Sequence, residues 1–208
     1  AVPGLVDAAV FSLADGPYTV SWEEDVTNHT HVVLAGTVLF DLQGHTYSLH
    51  RESSNTIGAA ASKVLLTVTN GTMQRLDPGF TGDTTGARLR INGPGTRLHL
   101  HNVQYRHVPY YAQVFAGAEV IVDGPQSTFY TTGYLSGMNG TFVVTNGAYL
   151  QATGSLRVDS GGVLRIHGPR DGDMALFAFG SGGMNSAGSA SFLGGAQVRN
   201  GYTKKIHH

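Results

Sequence analysis

His99 and His101 are the residues of this sequence best placed to do coordination chemistry. Alternate residues of a β-strand point to one face, so the two imidazoles of Leu98-His99-Leu100-His101 can reach a single ion. The nearest further nitrogen ligand is His107, and the chain contains no cysteine. Two histidines do not complete a site, so no metal and no other cofactor is expected, and His99 and His101 stand as the metal candidates. Carboxylate chemistry needs two or three acids on one face, as calcium ligands or as an acid–base pair. The 14 acids here are scattered. Asp41, Asp123 and Asp159 close apolar runs, where aspartate serves as a turn former. Glu23-Glu24-Asp25 reads as a solvated turn, and Asp171-x-Asp173 lies in a loop without further ligands. Gly180-Ser181-Gly182-Gly183 has no His–Asp relay to activate its serine. Gly93-Pro94-Gly95 lacks the Lys-Ser/Thr that follows a phosphate loop. No catalytic residue is assigned, and the chain is read as a non-enzyme.

Aromatic residues make the second group. Tyr105, Tyr110, Tyr111, Phe129 and Tyr130 fall about one repeat apart in two clusters. Rings aligned on an outer face serve a subunit contact or stack on sugars. These five are the expected oligomer-interface or ligand-stacking residues.

The elements that must position these groups are strands. Short apolar alternations recur at 32–40, 64–68, 87–91, 98–103, 120–122, 141–144, 155–158 and 163–166, each closed by Gly, Asn, Asp or Pro. Twenty-nine glycines and only 13% charged residues argue against a coiled coil, and 41% apolar content argues against disorder. A formal charge of −1 offers no basic field for nucleic acid, and no apolar run is long enough to span a membrane as a helix. Only 4–13 reads as a helix, with Leu5, Val6, Ala9, Val10 and Leu13 on one side and Asp15-Gly16-Pro17 stopping it.

The strand ends resemble one another: Val122-Asp123-Gly124, Val144-Thr145-Asn146-Gly147, Val158-Asp159-Ser160-Gly161. From Gly124 to Gly147 to Gly168 the spacing is a little over twenty residues. Gly and Asn accept positive φ, which a sharp strand-to-strand corner often requires. A sandwich and a solenoid both produce such corners. Scarce charge favours the solenoid, which buries its inner face coil on coil.

Asp41-Leu42-Gln43-Gly44-His45-Thr46, Thr67-Val68-Thr69-Asn70-Gly71-Thr72 and Leu98-His99-Leu100-His101-Asn102-Val103-Gln104-Tyr105 resemble the opening phrases of pectin-lyase-like β-helix proteins. The resemblance covers roughly residues 1–170 by pattern. It implies an all-β, right-handed parallel β-helix with a short N-terminal capping helix. Within that group the length, neutrality and lack of a catalytic cluster look most like tailspike-type β-helices, such as the trimeric hexon-interlacing capsid protein of atadenoviruses. Cupins also carry a His-x-His pair, and Gly93 stands at a cupin-like distance before His99. Tyr105 and Arg106, however, occupy the places where the cupin glutamate would fall.

The expected organisation is an N-terminal cap over 1–22, β-helix coils over 23–179 and an irregular C-terminal segment over 180–208, within which 196–202 returns as one last strand. His207 and His208 are set aside as candidate tag residues. The expected function is structural: a homotrimeric viral or phage capsid or spike component on a virion or extracellular surface. Its expected partners are its own copies and neighbouring capsid or surface proteins, with carbohydrate possible and neither nucleic acid nor membrane. The alternatives are a polysaccharide lyase or hydrolase of the same fold and a bacterial adhesin or autotransporter passenger.

Overall fold

Runs in which every second residue is apolar bury one face each, and here they do so by stacking rather than by folding back as hairpins. The computed structural model describes residues 7–49, 55–59, 63–75, 88–107, 111–131, 134–152, 156–167, 176–179, 184–186, 188–193 and 197–200. Among them every strand pairing is parallel. The chain is a parallel β-solenoid. One sheet has 8 strands, from Ala8–Phe11 through Thr30–Val33 and Asn55–Ile57 to Met184–Ser186. The other has 14 and is bent, because Val64–Arg75 and Arg97–His107 cross the bend unbroken and supply two walls. Register holds from coil to coil: Arg97 pairs with Leu65 on one side and with Glu119 on the other.

The bend is made at a left-handed residue. Asn70, Asn102 and Asn146 have φ of 58°, 51° and 53°, and Gly124 fills the same place in its coil at 94°. Asparagine visits this region because its short side chain bonds locally. One such residue also inverts the alternation. Leu98 and Leu100 point inward before Asn102, and Val103 and Tyr105 point inward after it.

The core is a ladder of like residues on successive coils. Leu66, Leu98, Val120, Phe142 and Leu164 are all buried from one wall. Met73, Tyr105, Phe129 and Leu150 are buried from the next. Tyr105 stacks on Phe129 with ring centroids 5.0 Å apart, and Phe129 meets Phe142 edge-on at 5.2 Å. Toward the first coil the ladder turns aromatic and polar: Trp22 packs on Phe40 and Tyr47, and His31 stacks on Tyr47 at 5.9 Å. His31 is fully buried, and neither of its ring nitrogens has a hydrogen-bond partner.

Two expectations about the ends are corrected. The helix expected over 4–13 is a strand at Ala8–Phe11, paired with Thr30–Val33, while residues 1–6 lie outside the described residues. Ala9 is buried and Phe11 packs on the core, whereas Val10 is 57% exposed, a period of two. Backbone pairing with the next coil outweighs a weak local preference for helix. The segment over 180–208, expected to be irregular before its last strand, contributes Met184–Ser186 and Ser189–Leu193 to the sheets, and the strand expected over 196–202 is present as Gln197–Asn200. Its glycine content has a steric reason at Gly188, where a Cβ would collide with the carbonyl oxygens of Asp159 and Gly162.

Candidate functional site

His99 and His101 stand two residues apart on Arg97–His107 and face outward, with Leu98 and Leu100 turned into the core between and beside them. In the next coil Asp123 pairs with His101. Its carboxylate reaches both rings through one oxygen: Oδ2 lies 2.9 Å from His101 Nδ1 and 3.4 Å from His99 Nε2. The three ligand atoms lie within 4.8 Å of one another.

Corner asparagines from two coils hold this group from its edges. Asn146 donates from Nδ2 to Asp123 Oδ1 at 2.6 Å, which leaves Oδ2 to the histidines. The Asn102 amide lies 3.2 Å from His101 Nε2. Burial alone would raise the Asp123 pKa. The hydrogen bonds from Asn146, His101 and His99 and the field of His101 outweigh it, and the carboxyl sits below its ordinary value. On the same wall Arg97 pairs with Glu119 through Nε and Oε2 at 2.7 Å, closing off the strand's other end with a neutral pair. The group is open to solvent: the side chains of His99 and His101 are 31% and 44% exposed.

Asp123 is the residue that sequence reasoning missed. Its place at the end of an apolar run reads as that of a turn former, a role that Asp41 does fill, its Oδ1 accepting from the Gln43 amide at 3.2 Å. The signal that could have found it is the coil period: Asp123 follows His101 by 22 residues, one turn of the solenoid. Glu23, Glu24 and Asp25 are exposed, as a solvated turn should be.

The aromatic set does not assemble. Tyr105 and Phe129 are 3% and 1% exposed and belong to the core, which corrects their assignment to an outer face. The left-handed Asn102 turns the alternation between His101 and Tyr105, so the Tyr105 ring, expected outside, points in. Tyr110 lies outside the described residues, and Tyr111 opens the strand Tyr111–Val114 on the other sheet. Only Tyr130, of the five, is shown on the outer wall, where it borders a shallow groove with Gln104, Arg106, Thr128, Tyr149 and Gln151.

Comparison with family models, with curated proteins and with solved structures found no match to this chain. What stands of the resemblance to the pectin-lyase-like group is the parallel solenoid itself.

Proposed function

We propose that the chain is a structural, non-enzymatic right-handed β-helix of the tailspike-like kind, working as a homotrimeric component of a viral or phage capsid or spike. The supporting observation is the wall formed by Thr46–Leu49, the second half of Val64–Arg75, the second half of Arg97–His107, Thr128–Thr131 and Tyr149–Ala152. Its outward residues include Thr46, Thr72, Gln74, Gln104, Thr128, Tyr130, Tyr149 and Gln151. Among the described outward residues of these five strands Arg106 carries the single charge, and it bonds its neighbour Gln104 at 3.2 Å; the wall runs on through Leu176–Phe179 into Gln197–Asn200, where Arg199 is in register with Gln151 through Ala178. Interface centres are depleted of charge and enriched in Tyr and Arg, and closed three-fold symmetry covers one such wall on every copy. The work done is mechanical: stacked backbone bonds and a continuous core make a rigid rod that ties its sister copies to neighbouring shell or surface proteins. Sedimentation at micromolar concentration tests this; a species of three chains is expected, and a stable monomer overturns it.

The same wall favours a second reading. Its groove of about 390 Å³ is lined by two amides, two phenol rings, Arg106 and Thr128, groups that suit a sugar chain. This reading covers a polysaccharide lyase or hydrolase of this fold and a surface adhesin. Incubation with acidic and neutral glycans, with and without calcium, separates them. Turnover displaces the structural reading, and binding without turnover by a monomeric chain supports the adhesin.

A further inference from the structure

We propose that His99, His101 and Asp123 form a binding site for one divalent first-row transition-metal ion of the zinc type on the outer wall of the solenoid.

The geometry is nearly assembled. Ligand atoms about 2.1 Å from a tetrahedral ion lie about 3.4 Å from one another. His99 Nε2 and Asp123 Oδ2 already stand 3.4 Å apart, and His101 Nδ1 stands 2.9 Å from the same oxygen. The widest separation in the group is within 4.8 Å, so side-chain rotations of about an ångström suffice to close on an ion. The backbone need not move, because both histidines sit on one strand whose neighbours hold it on either side.

The donor set selects the class of ion. Two imidazole nitrogens and one carboxylate oxygen suit zinc, cobalt, nickel or copper, whereas calcium and magnesium prefer all-oxygen shells. The outer contacts match what metal ligands need. Asn146 occupies the second carboxylate oxygen and so aims Oδ2 at the histidines. The Asn102 amide faces His101 Nε2, and an amide serves a ring nitrogen as donor or, turned over, as acceptor. It can therefore hold His101 in the tautomer that leaves Nδ1 free for the ion. With three protein ligands and an open solvent side, water completes the shell.

The test is calorimetric titration of the metal-free full-length chain with zinc chloride near neutral pH. It is run on a His207→Ala, His208→Ala background, because those residues are ligands in their own right. One zinc per chain is expected. His99→Ala, His101→Ala and Asp123→Asn should each weaken binding at least tenfold, and Arg97→Ala on the same wall should leave it within twofold. Circular dichroism checks each fold, and a variant that fails is replaced by the corresponding glutamine substitution at the histidine. With copper(II), paramagnetic resonance should show coupling to two imidazole nitrogens, one lost in each histidine variant. Absent binding, affinity unchanged from the parent in the three variants, or calcium bound more tightly than zinc overturns the proposal. Stoichiometry is counted per chain, so the result does not depend on whether the chains form a trimer.

Discussion

Protonating His31 would place a charge on a fully buried ring whose nitrogens have no hydrogen-bond partner, stacked against Tyr47. Burial accordingly pushes its pKa down from 6.5 to about 4. The unfolded chain takes up this proton near its ordinary pKa, and the folded chain resists until much lower pH. Between those values the unfolded state binds more protons, so stability falls as pH drops from 6.5 toward 4. The loss is on the order of 3 kcal/mol at the acid end of that window. Urea midpoints measured across the window should show this slope, and His31→Phe should remove most of it. A slope unchanged in His31→Phe would assign the acid sensitivity elsewhere. At this scale the sequence was half legible. The spacing of His99 and His101 was visible by inspection, because two residues on one strand share a face. Asp123 was not, because its place beside them depends on the length of a coil, which only the register of the whole stack defines.

The corners are where single residues govern whole elements. A Cβ at Gly124 would stand 2.5 Å from Asn102 Oδ1, and φ is +94° there; at Gly161, with φ of +83°, a Cβ would meet nothing within 4 Å. Both alanine substitutions suffer the left-handed penalty of about 1 kcal/mol. Only Gly124→Ala must also displace the asparagine that borders the histidines, and it should cost on the order of 3 kcal/mol. Thermal or urea unfolding of the two variants side by side measures the difference; equal losses would mean that the corner asparagines do not pack as a column. The strands themselves were legible in the sequence, since alternation closed by Gly, Asn or Asp recurs at nearly every coil. The direction of residues beyond a corner was not. Alternation carried through Asn102 from Leu100 places Tyr105 outside, whereas the single left-handed residue puts it in the core against Phe129. The N-terminal strand was hidden for a related reason. Val10 and Leu13, 57% and 64% exposed, filled out an apparent helical stripe that packing against Thr30–Val33 does not use.

At the scale of the molecule, the proposed trimer makes a demand on one wall. Tyr130→Glu places a charge in the middle of that wall without entering the core, since Tyr130 lies between the buried Phe129 and Thr131 and points away from them. Sedimentation should then show single chains, with the circular dichroism of the parent. Three chains retained in the variant would move the contact to another face. The fold class was legible at this scale because composition and corner spacing are properties of the whole chain. The walls were not, because each is assembled from residues about one coil apart.

The parallel stack has one more consequence, a mechanical one. All the bonds between coils run along the length of the rod, so a pull on its two ends loads the coils in series. The weakest coil yields first while its neighbours stay intact. A full turn here, such as that from Arg97 to Glu119, holds 22 residues, and each one released would lengthen the molecule by roughly 70 Å. Under tension the protein would behave as a stepwise shock absorber, giving way by one turn at a time instead of snapping as a unit.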